Sequence, residues 1–256
     1  MRARRLIPTL AALAVVALTL SLGNWQLRRA DEKRQLQAQR EAAQAAPPVD
    51  LNALAARGGE PFDAAALDGH RVAFSGTLLP EWSLMLDNRT RQQVAGVHLI
   101  TPVRLAGSRR IVLVLRGWAA TDPADRSRMP AAIRDPAGEL RFEGLAQASL
   151  AQPIELAPSP PPAPGQRLWQ HFTFERFRGW SGLDSEPVLI RQTSALDDGL
   201  ARDWVEPGID VDRHIAYAVQ WFALAAVCAG LWSWFVLIAP SRRAQRQKSN
   251  GGHPSG

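Results

Sequence analysis

The residues best suited to chemistry in this chain lie in the segment His214-Ile-Ala-Tyr217-Ala-Val-Gln-Trp221. The segment opens an apolar run, residues 215–239, that holds no charged residue and is long enough to cross a bilayer as a helix. An ionisable side chain at the mouth of a membrane helix is costly, and such side chains tend to be functional. Because imidazole binds metal ions and titrates near neutral pH, His214 is the first candidate ligand.

Other chemistries find little support in the sequence. The single cysteine, Cys228, excludes a disulfide framework and a Cys-x-x-Cys pair. Met85 and Met129 are isolated, so the chain lacks the paired soft sulfur ligands that a copper relay needs. No Gly-x-Ser-x-Gly elbow, His-Glu-x-x-His motif or Walker A loop occurs. The sequence therefore predicts a protein that is not an enzyme.

The charge of the chain is explained by its membrane segments. The 256 residues carry a formal net charge of +6, almost wholly from arginine. Such a balance can indicate a nucleic-acid partner. Here much of the positive charge flanks apolar segments, where membrane topology accounts for it, so we expect no nucleic-acid binding. A slightly negative mean hydropathy excludes a protein with many spans.

A first apolar segment, residues 6–25, follows the basic residues 1–5. It could be a secretory signal, because Ser21-x-Gly23 gives a passable cleavage pattern. We favour an uncleaved span, because the run is longer than a usual signal core and ends at Trp25, an interfacial anchor type. Residues 26–48 are rich in helix formers up to Pro47-Pro48 and predict a polar extension of the same helix.

The second span is predicted over residues 213–239, followed by a basic tail, residues 240–256. Basic residues at both far ends place both termini in the cytoplasm by the positive-inside rule. Arg28, Arg29, Lys33 and Arg34 argue against this orientation, but the symmetry of the two ends favours it. We therefore expect a bacterial inner-membrane protein with a periplasmic central domain.

The central residues 49–212 predict a β-rich domain. Strands are expected over 70–78, 82–86, 94–105, 110–118, 140–148 and 188–192. Turns are expected at Asp87-Asn88-Arg89 and Ala106-Gly107-Ser108, a polar connection over 121–138, a proline-rich excursion over 153–165, and a short helix over 174–179. The fold class is membrane α+β: two transmembrane helices flanking an antiparallel meander that closes toward a barrel or sandwich.

Three segments together resemble the surfeit-locus family of cytochrome c oxidase assembly proteins, which includes the yeast Shy protein. They are Gly23-Asn-Trp-Gln26 with the basic residues after it, the central Asp-Asn-Arg89 and Arg116-Gly-Trp118 motifs, and His214-x-x-Tyr-Ala-x-Gln-Trp221. The resemblance covers nearly the whole chain. Leu115 departs from it, since the family usually has Asn before Arg-Gly-Trp.

The resemblance implies a non-catalytic role in the biogenesis of a terminal oxidase, in which haem a is bound and its insertion into the core subunit is assisted. It implies that His214 ligates the haem iron, with the oxidase core subunit, and haem a synthase as a further candidate, as partners. Helix geometry suggests further residues that could contact the haem. Tyr217 and Trp221 share a helix face with His214, and Trp25 lies at the same depth on the other span. Arg213 and Arg28 are the nearest arginines for the haem propionates.

Two simpler interpretations stay open. His214 could extend to the membrane interface, with Tyr217, Trp221 and Trp25 as interfacial aromatic residues, and the residues alone favour this over iron ligation. The resemblance reverses that preference. The protein could also be a cofactor-free scaffold that stabilises an assembly intermediate of the oxidase.

Overall fold

A computed structural model describes residues 3–150, 162–204 and 211–239 of the chain. The chain divides into two compact units. One comprises Met1–Gln39 and Pro207–Gly256, and the other comprises Arg40–Glu206. The predicted fold class is confirmed, because long apolar helices at the two ends flank a β-rich domain that contains a barrel.

The helical unit contains most of helix α1, Ala3–Ala45, and all of helix α5, Val211–Ser233. A π-helical turn, Trp234–Ile238, continues α5. Both helices are long and apolar enough to cross a membrane. Large apolar side chains stand exposed along them; examples are Leu13, Leu18, Val219, Val227 and Phe235. Such exposure is costly in water, and lipid would cover it.

The β unit contains one eight-stranded sheet. Its long strands are β2 Arg71–Leu78, β3 Leu84–Arg91, β4 Val94–Leu105, β5 Ile111–Ala120, β6 Glu139–Gln147 and β8 Ser185–Gln192. Its short strands are β1 Val49–Asp50 and β7 Leu168–Trp169. The short helices are α2 Leu51–Ala56, α3 Ala64–Leu67 and α4 Phe174–Ser181, with a 3-10 turn at Pro80–Trp82.

Pairing between β2 and β4 closes part of this sheet into a five-stranded barrel. Around the barrel the strands follow the order β2, β4, β5, β8, β6 and back to β2. This is the strand order of the OB-type Greek-key barrel. The β5–β8 pair is parallel, whereas the other four barrel pairs are antiparallel. The predicted antiparallel meander was therefore wrong in this detail.

Apolar side chains fill the barrel and also cover part of its outer surface. The inner cluster includes Phe74 and Phe142, whose rings stack with centroids 5.1 Å apart. A second cluster lies on the other face of β5 and β8, where Phe177 of α4 packs with Leu113 and Leu189. Because β5 is covered on both faces, its sequence is a nearly continuous apolar run.

A buried ion pair links β5 to the segment that follows β8. Arg116 and Asp198 are both fully buried, with Nη2 of Arg116 3.0 Å from Oδ2 of Asp198. Arg116 also pairs with Asp135 and donates to the Arg134 carbonyl at 2.8 Å. Arg202 contacts the same Asp198 oxygen at 2.5 Å. These partners satisfy a charge that would otherwise be too costly to bury.

The predicted turn at Asp87-Asn88-Arg89 was wrong. These residues lie within β3 at a β-bulge, and the reversal of the chain occurs four residues later, at Gln92-Gln93, where both residues have positive φ. The turn at Ala106-Gly107-Ser108 is confirmed, with Gly107 at φ 71. Most of the predicted proline-rich excursion, 153–165, and all of the tail, 240–256, lie outside the described residues.

Candidate functional site

One face of α1 carries small and polar residues toward α5. A row of half-buried or buried positions follows spacings of three and four, the spacing of a helix-packing seam: Thr9, Ala12, Val16, Thr19, Gly23, Gln26 and Ala30. Small residues let helices approach closely within a membrane. The Phe222 ring of α5 packs directly against Gly23 of α1. Any larger residue would collide with the ring, because a Cβ at position 23 would lie 2.7 Å from Cε1 of Phe222.

The facing residues of α5 follow the same spacing: His214, Ala218, Trp221, Ala225, Cys228 and Trp232. Ala218 and Ala225 are buried. Side-chain hydrogen bonds join the two helices. Trp232 Nε1 donates to Thr9 Oγ1 at 3.1 Å, and His214 Nδ1 lies 2.7 Å from Gln26 Oε1.

The bond to Gln26 fixes the orientation of the His214 ring. An amide oxygen only accepts hydrogen bonds, so Nδ1 of the ring must carry the proton and donate it. In the neutral imidazole the lone pair is then on Nε2. Among the residues described, none forms a hydrogen bond with Nε2. A metal-binding histidine has this arrangement, since the second ring nitrogen normally donates to a fixed acceptor.

The other predicted site residues fall into two groups. Trp221 is half-buried in the seam two helical turns after His214, whereas Tyr217 is 44% exposed on the adjoining surface of α5. Arg213 is exposed and lies four residues before Tyr217, hence on the same side of α5. Trp25 and Arg28 are exposed on the side of α1 turned away from the seam. The structure therefore groups His214, Trp221, Tyr217 and Arg213, but not Trp25 and Arg28, around one surface.

Gln26 is the residue whose role the sequence did not reveal. The sequence places it in the Gly23-Asn-Trp-Gln26 motif but does not indicate it as the partner of His214. The available signal was its place in the three-and-four spacing of α1, where a polar side chain interrupts small and apolar neighbours. A polar residue at such a position commonly bonds across the helix pair.

The residues present fit a haem better than a bare metal ion. No group of three or more His, Cys, Asp and Glu side chains that could hold a metal ion occurs within residues 3–150, 162–204 and 211–239. A haem brings four iron ligands of its own and needs from the protein an axial imidazole and apolar surroundings. His214 offers the imidazole nitrogen, and Trp221 and Leu224 of α5 offer apolar surface.

Comparison with known proteins places the chain in a family. A family model described as the SURF1 family matches residues 13–226. A SURF1-like protein of Monosiga brevicollis is 30% identical over 87% of this chain and 85% of its own length. SURF1-like proteins of Rickettsia conorii and Rickettsia felis are 26% and 29% identical over 80% and 84% of this chain, and 81% and 91% of their own lengths. The chain therefore belongs to the SURF1 family, the surfeit-locus family that its motifs resemble.

Proposed function

We propose that this protein assists the assembly of cytochrome c oxidase by binding haem a and helping its insertion into the core subunit. The SURF1 family is a family of assembly factors for this oxidase, which supports the general role. The single observation that carries the haem proposal is the bond between His214 Nδ1 and Gln26 Oε1 at 2.7 Å. It orients the ring so that, in the neutral imidazole, Nε2 is the nitrogen that could bind the iron.

The chain's own residues would hold the macrocycle from α5. Trp221 is half-buried two turns after His214 on the same face of α5 and offers an apolar wall, with the exposed Tyr217 between them in sequence. Arg213 lies on the same side of α5 as Tyr217 and is our candidate for a propionate, because guanidinium matches carboxylate geometry. Trp25 and Arg28 stay in the proposal as candidates from the first helix. His214 would hold the haem through its iron, which would supply a Lewis-acidic centre when bound.

The proposal includes a topology. Both termini lie in the cytoplasm, the two helices span the bacterial inner membrane, and the β unit lies in the periplasm. The basic residues Arg2, Arg4 and Arg5 at one end, and 242–248 at the other, support this orientation. The partners are the oxidase core subunit and, as a second candidate, haem a synthase, both within the bilayer.

The test is an absorption spectrum of the full chain purified in detergent from cells that make haem a. We expect a haem a spectrum for the wild-type protein and for His70→Ala, a matched histidine variant in the β unit. His214→Ala should lose most of the bound haem, because the axial ligand is gone. Equal haem a in His214→Ala and wild type would refute the ligand assignment.

The cofactor-free scaffold is the second outcome of the same experiment. The hydrogen bond between His214 and Gln26 favours the scaffold, because it gives His214 a structural role without haem. In that case oxidase subunits would co-purify with a colourless protein, and His214→Ala would change the helix pairing rather than the spectrum. Stoichiometric copper in the purified protein would instead revive copper delivery.

A further inference from the structure

Two motifs that the haem proposal does not use meet on one face of strands β3, β4 and β5. The first is Asp87-Asn88-Arg89. The bulge between Leu86 and Arg89, with Asn88 at φ 65, places Arg89 opposite Gly96 of β4. A bulge commonly redirects a side chain in this way. Arg89 then becomes a diagonal neighbour of His98, two residues along β4 on the same face.

The second motif, Arg116-Gly117-Trp118, holds Arg89 in place. Trp118 lies opposite His98, and its indole Nε1 donates to the Arg89 carbonyl at 2.7 Å. Gly96 makes room for this indole, because a Cβ at that position would collide with the Trp118 ring. The position of Arg89 is thus set by a side chain of another strand rather than by its own strand alone.

Gly117 of the same motif brings a third aromatic residue to the cluster. A Cβ at Gly117 would lie 2.7 Å from the Ala201 carbonyl oxygen, so glycine lets residue 201 approach and pair with Trp118. Three residues later, the Trp204 ring lies 5.3 Å from the His98 ring, edge to face. The Trp204 indole is fixed by donating to the Gln192 carbonyl at 2.7 Å.

The charge of Arg89 is the unexplained feature of this cluster. Its Nε is buried and has no hydrogen-bond partner, and within the described ranges no carboxylate pairs with its guanidinium. The neighbouring arginines differ, since Arg91 bonds both oxygens of Asp203 and Arg126 pairs with Asp87. Burial lowers the pKa of Arg89. A half-buried cation without a partner is costly, and a bound anion would offset that cost.

We propose that Arg89, with His98, Trp118 and Trp204 around it, forms a binding site for an oxyanion, a carboxylate or phosphate group. Arg89 would donate from its buried Nε–H and an adjacent Nη–H, the paired geometry that such groups favour. The aromatic rings fix the walls, and His98 can donate one hydrogen bond from its neutral ring. This site is independent of the haem proposal, because it uses residues of the β unit alone.

The test uses the full chain in a non-ionic detergent, labelled with carbon-13 at histidine Cε1. His98 is assigned with His98→Gln and observed while acetate, inorganic phosphate or dihexanoylphosphatidylglycerol below its critical micelle concentration is added. We expect a saturable shift of the His98 signal with at least one anion. Saturation with the lipid alone identifies a headgroup as the source, and saturation with phosphate or acetate identifies a free anion. No saturable shift with any of the three would overturn the proposal.

The variants test whether anions bind specifically at Arg89 or are attracted by the positive charge of the β unit in general. Arg89→Gln should weaken binding by about 10- to 100-fold, the range for losing a hydrogen bond to a charged group. Arg109→Gln, which removes an exposed arginine elsewhere in the β unit, should leave the affinity unchanged. Arg89→Lys keeps the charge but loses the Nε–H. It replaces Arg89→Gln in the affinity measurement if Arg89→Gln does not fold. Unchanged affinity in either Arg89 variant would refute the site.

Discussion

At the scale of single residues, Gln26 decides which nitrogen of His214 is available. We expect Gln26→Leu to reduce the population of the Nδ1–H tautomer, because the ring loses its acceptor. Haem a affinity should fall by about 10- to 100-fold, the usual effect of removing a partner of a metal-binding histidine. Nitrogen-15 chemical shifts of the ring measure the tautomer without haem.

Two further variants serve as controls for this prediction. Gln26→Glu retains an acceptor and should keep the tautomer. Gln220→Leu makes the same change at an exposed glutamine of α5 and should have no effect on His214. An unchanged tautomer in Gln26→Leu would contradict the role given to Gln26, whatever happens to haem binding.

His98 gives the β unit a pH-dependent stability. Burial, and secondly the Arg89 charge, lower the pKa of His98 to about 4 from an ordinary value of 6.5. Between pH 6.5 and pH 4, His98 is protonated in the unfolded chain but stays neutral in the folded chain. The free energy of unfolding therefore falls as the pH is lowered from about 6.5 to about 4. The loss amounts to at most about 3–4 kcal/mol, at about 1.4 kcal/mol per pKa unit.

The measurement is urea unfolding of the full chain in detergent between pH 7 and pH 4, followed by near-UV circular dichroism. His98→Gln should flatten the pH dependence, because the group that titrates is gone. The control His70→Gln should retain the slope of the wild-type protein. A slope in His98→Gln as steep as in the wild type would show that other groups carry the effect.

The sequence shows which residues can do chemistry better than it shows their partners. His214 could be found from the sequence because a histidine at the start of an uncharged run is conspicuous. Gln26 lies 188 positions away, and its pairing depends on the rotation of α1 against α5, which no local pattern specifies. For the same reason Trp25 and Arg28 could be assigned a depth but not a side of the helix.

At the scale of elements, the approach of α1 to α5 depends on Gly23. We expect Gly23→Val to lower the stability of the full chain in detergent by about 1–3 kcal/mol, because the added atoms would overlap the Phe222 ring. Gly230→Val is the matched control on α5, since no atom lies within 4 Å of its added Cβ. Adding Phe222→Ala to Gly23→Val should restore part of the loss, as read from the thermal midpoint.

The link between β5 and the segment after β8 depends on Asp198. Asp198→Ala would leave the fully buried Arg116 without its main carboxylate, and we expect a loss of about 3–5 kcal/mol in urea unfolding. The adjacent Asp197 also pairs with an arginine, Arg134, but is 92% exposed. Asp197→Ala should cost less than about 1 kcal/mol, and similar losses in the two variants would contradict the importance of burial.

The strands could be predicted from the alternation of apolar and polar residues, but the strands that pair with each other in the sheet could not. The bounds of β4, Val94–Leu105, agree with the prediction because its ends are marked by turns. The bulge at Asp87–Arg89 was mistaken for a turn because Asp-Asn is common in turns and also tolerates the positive φ of a bulge. The β5–β8 pairing joins segments far apart in sequence, and such pairings leave no local signal.

At the scale of the whole molecule, the two basic ends predict a topology that fusions can test. An alkaline phosphatase fused after residue 256 should be inactive, because its disulfides do not form in the cytoplasm. The same enzyme inserted in the polar connection 121–138 should be active. The opposite pattern of activities would reverse the orientation of both helices.

The position of β8 between β5 and β6 also sets the order of events when the protein is made. Until β8 arrives, β5 and β6 each present an unpaired edge, and exposed edges invite aggregation. The barrel therefore stays open until nearly the whole β unit has been synthesised, shortly before the chain enters α5. Late, long-range closure of this kind folds slowly. A chain ended after Gln147 should be degraded rapidly in cells, which makes β8 the last and decisive strand of the domain.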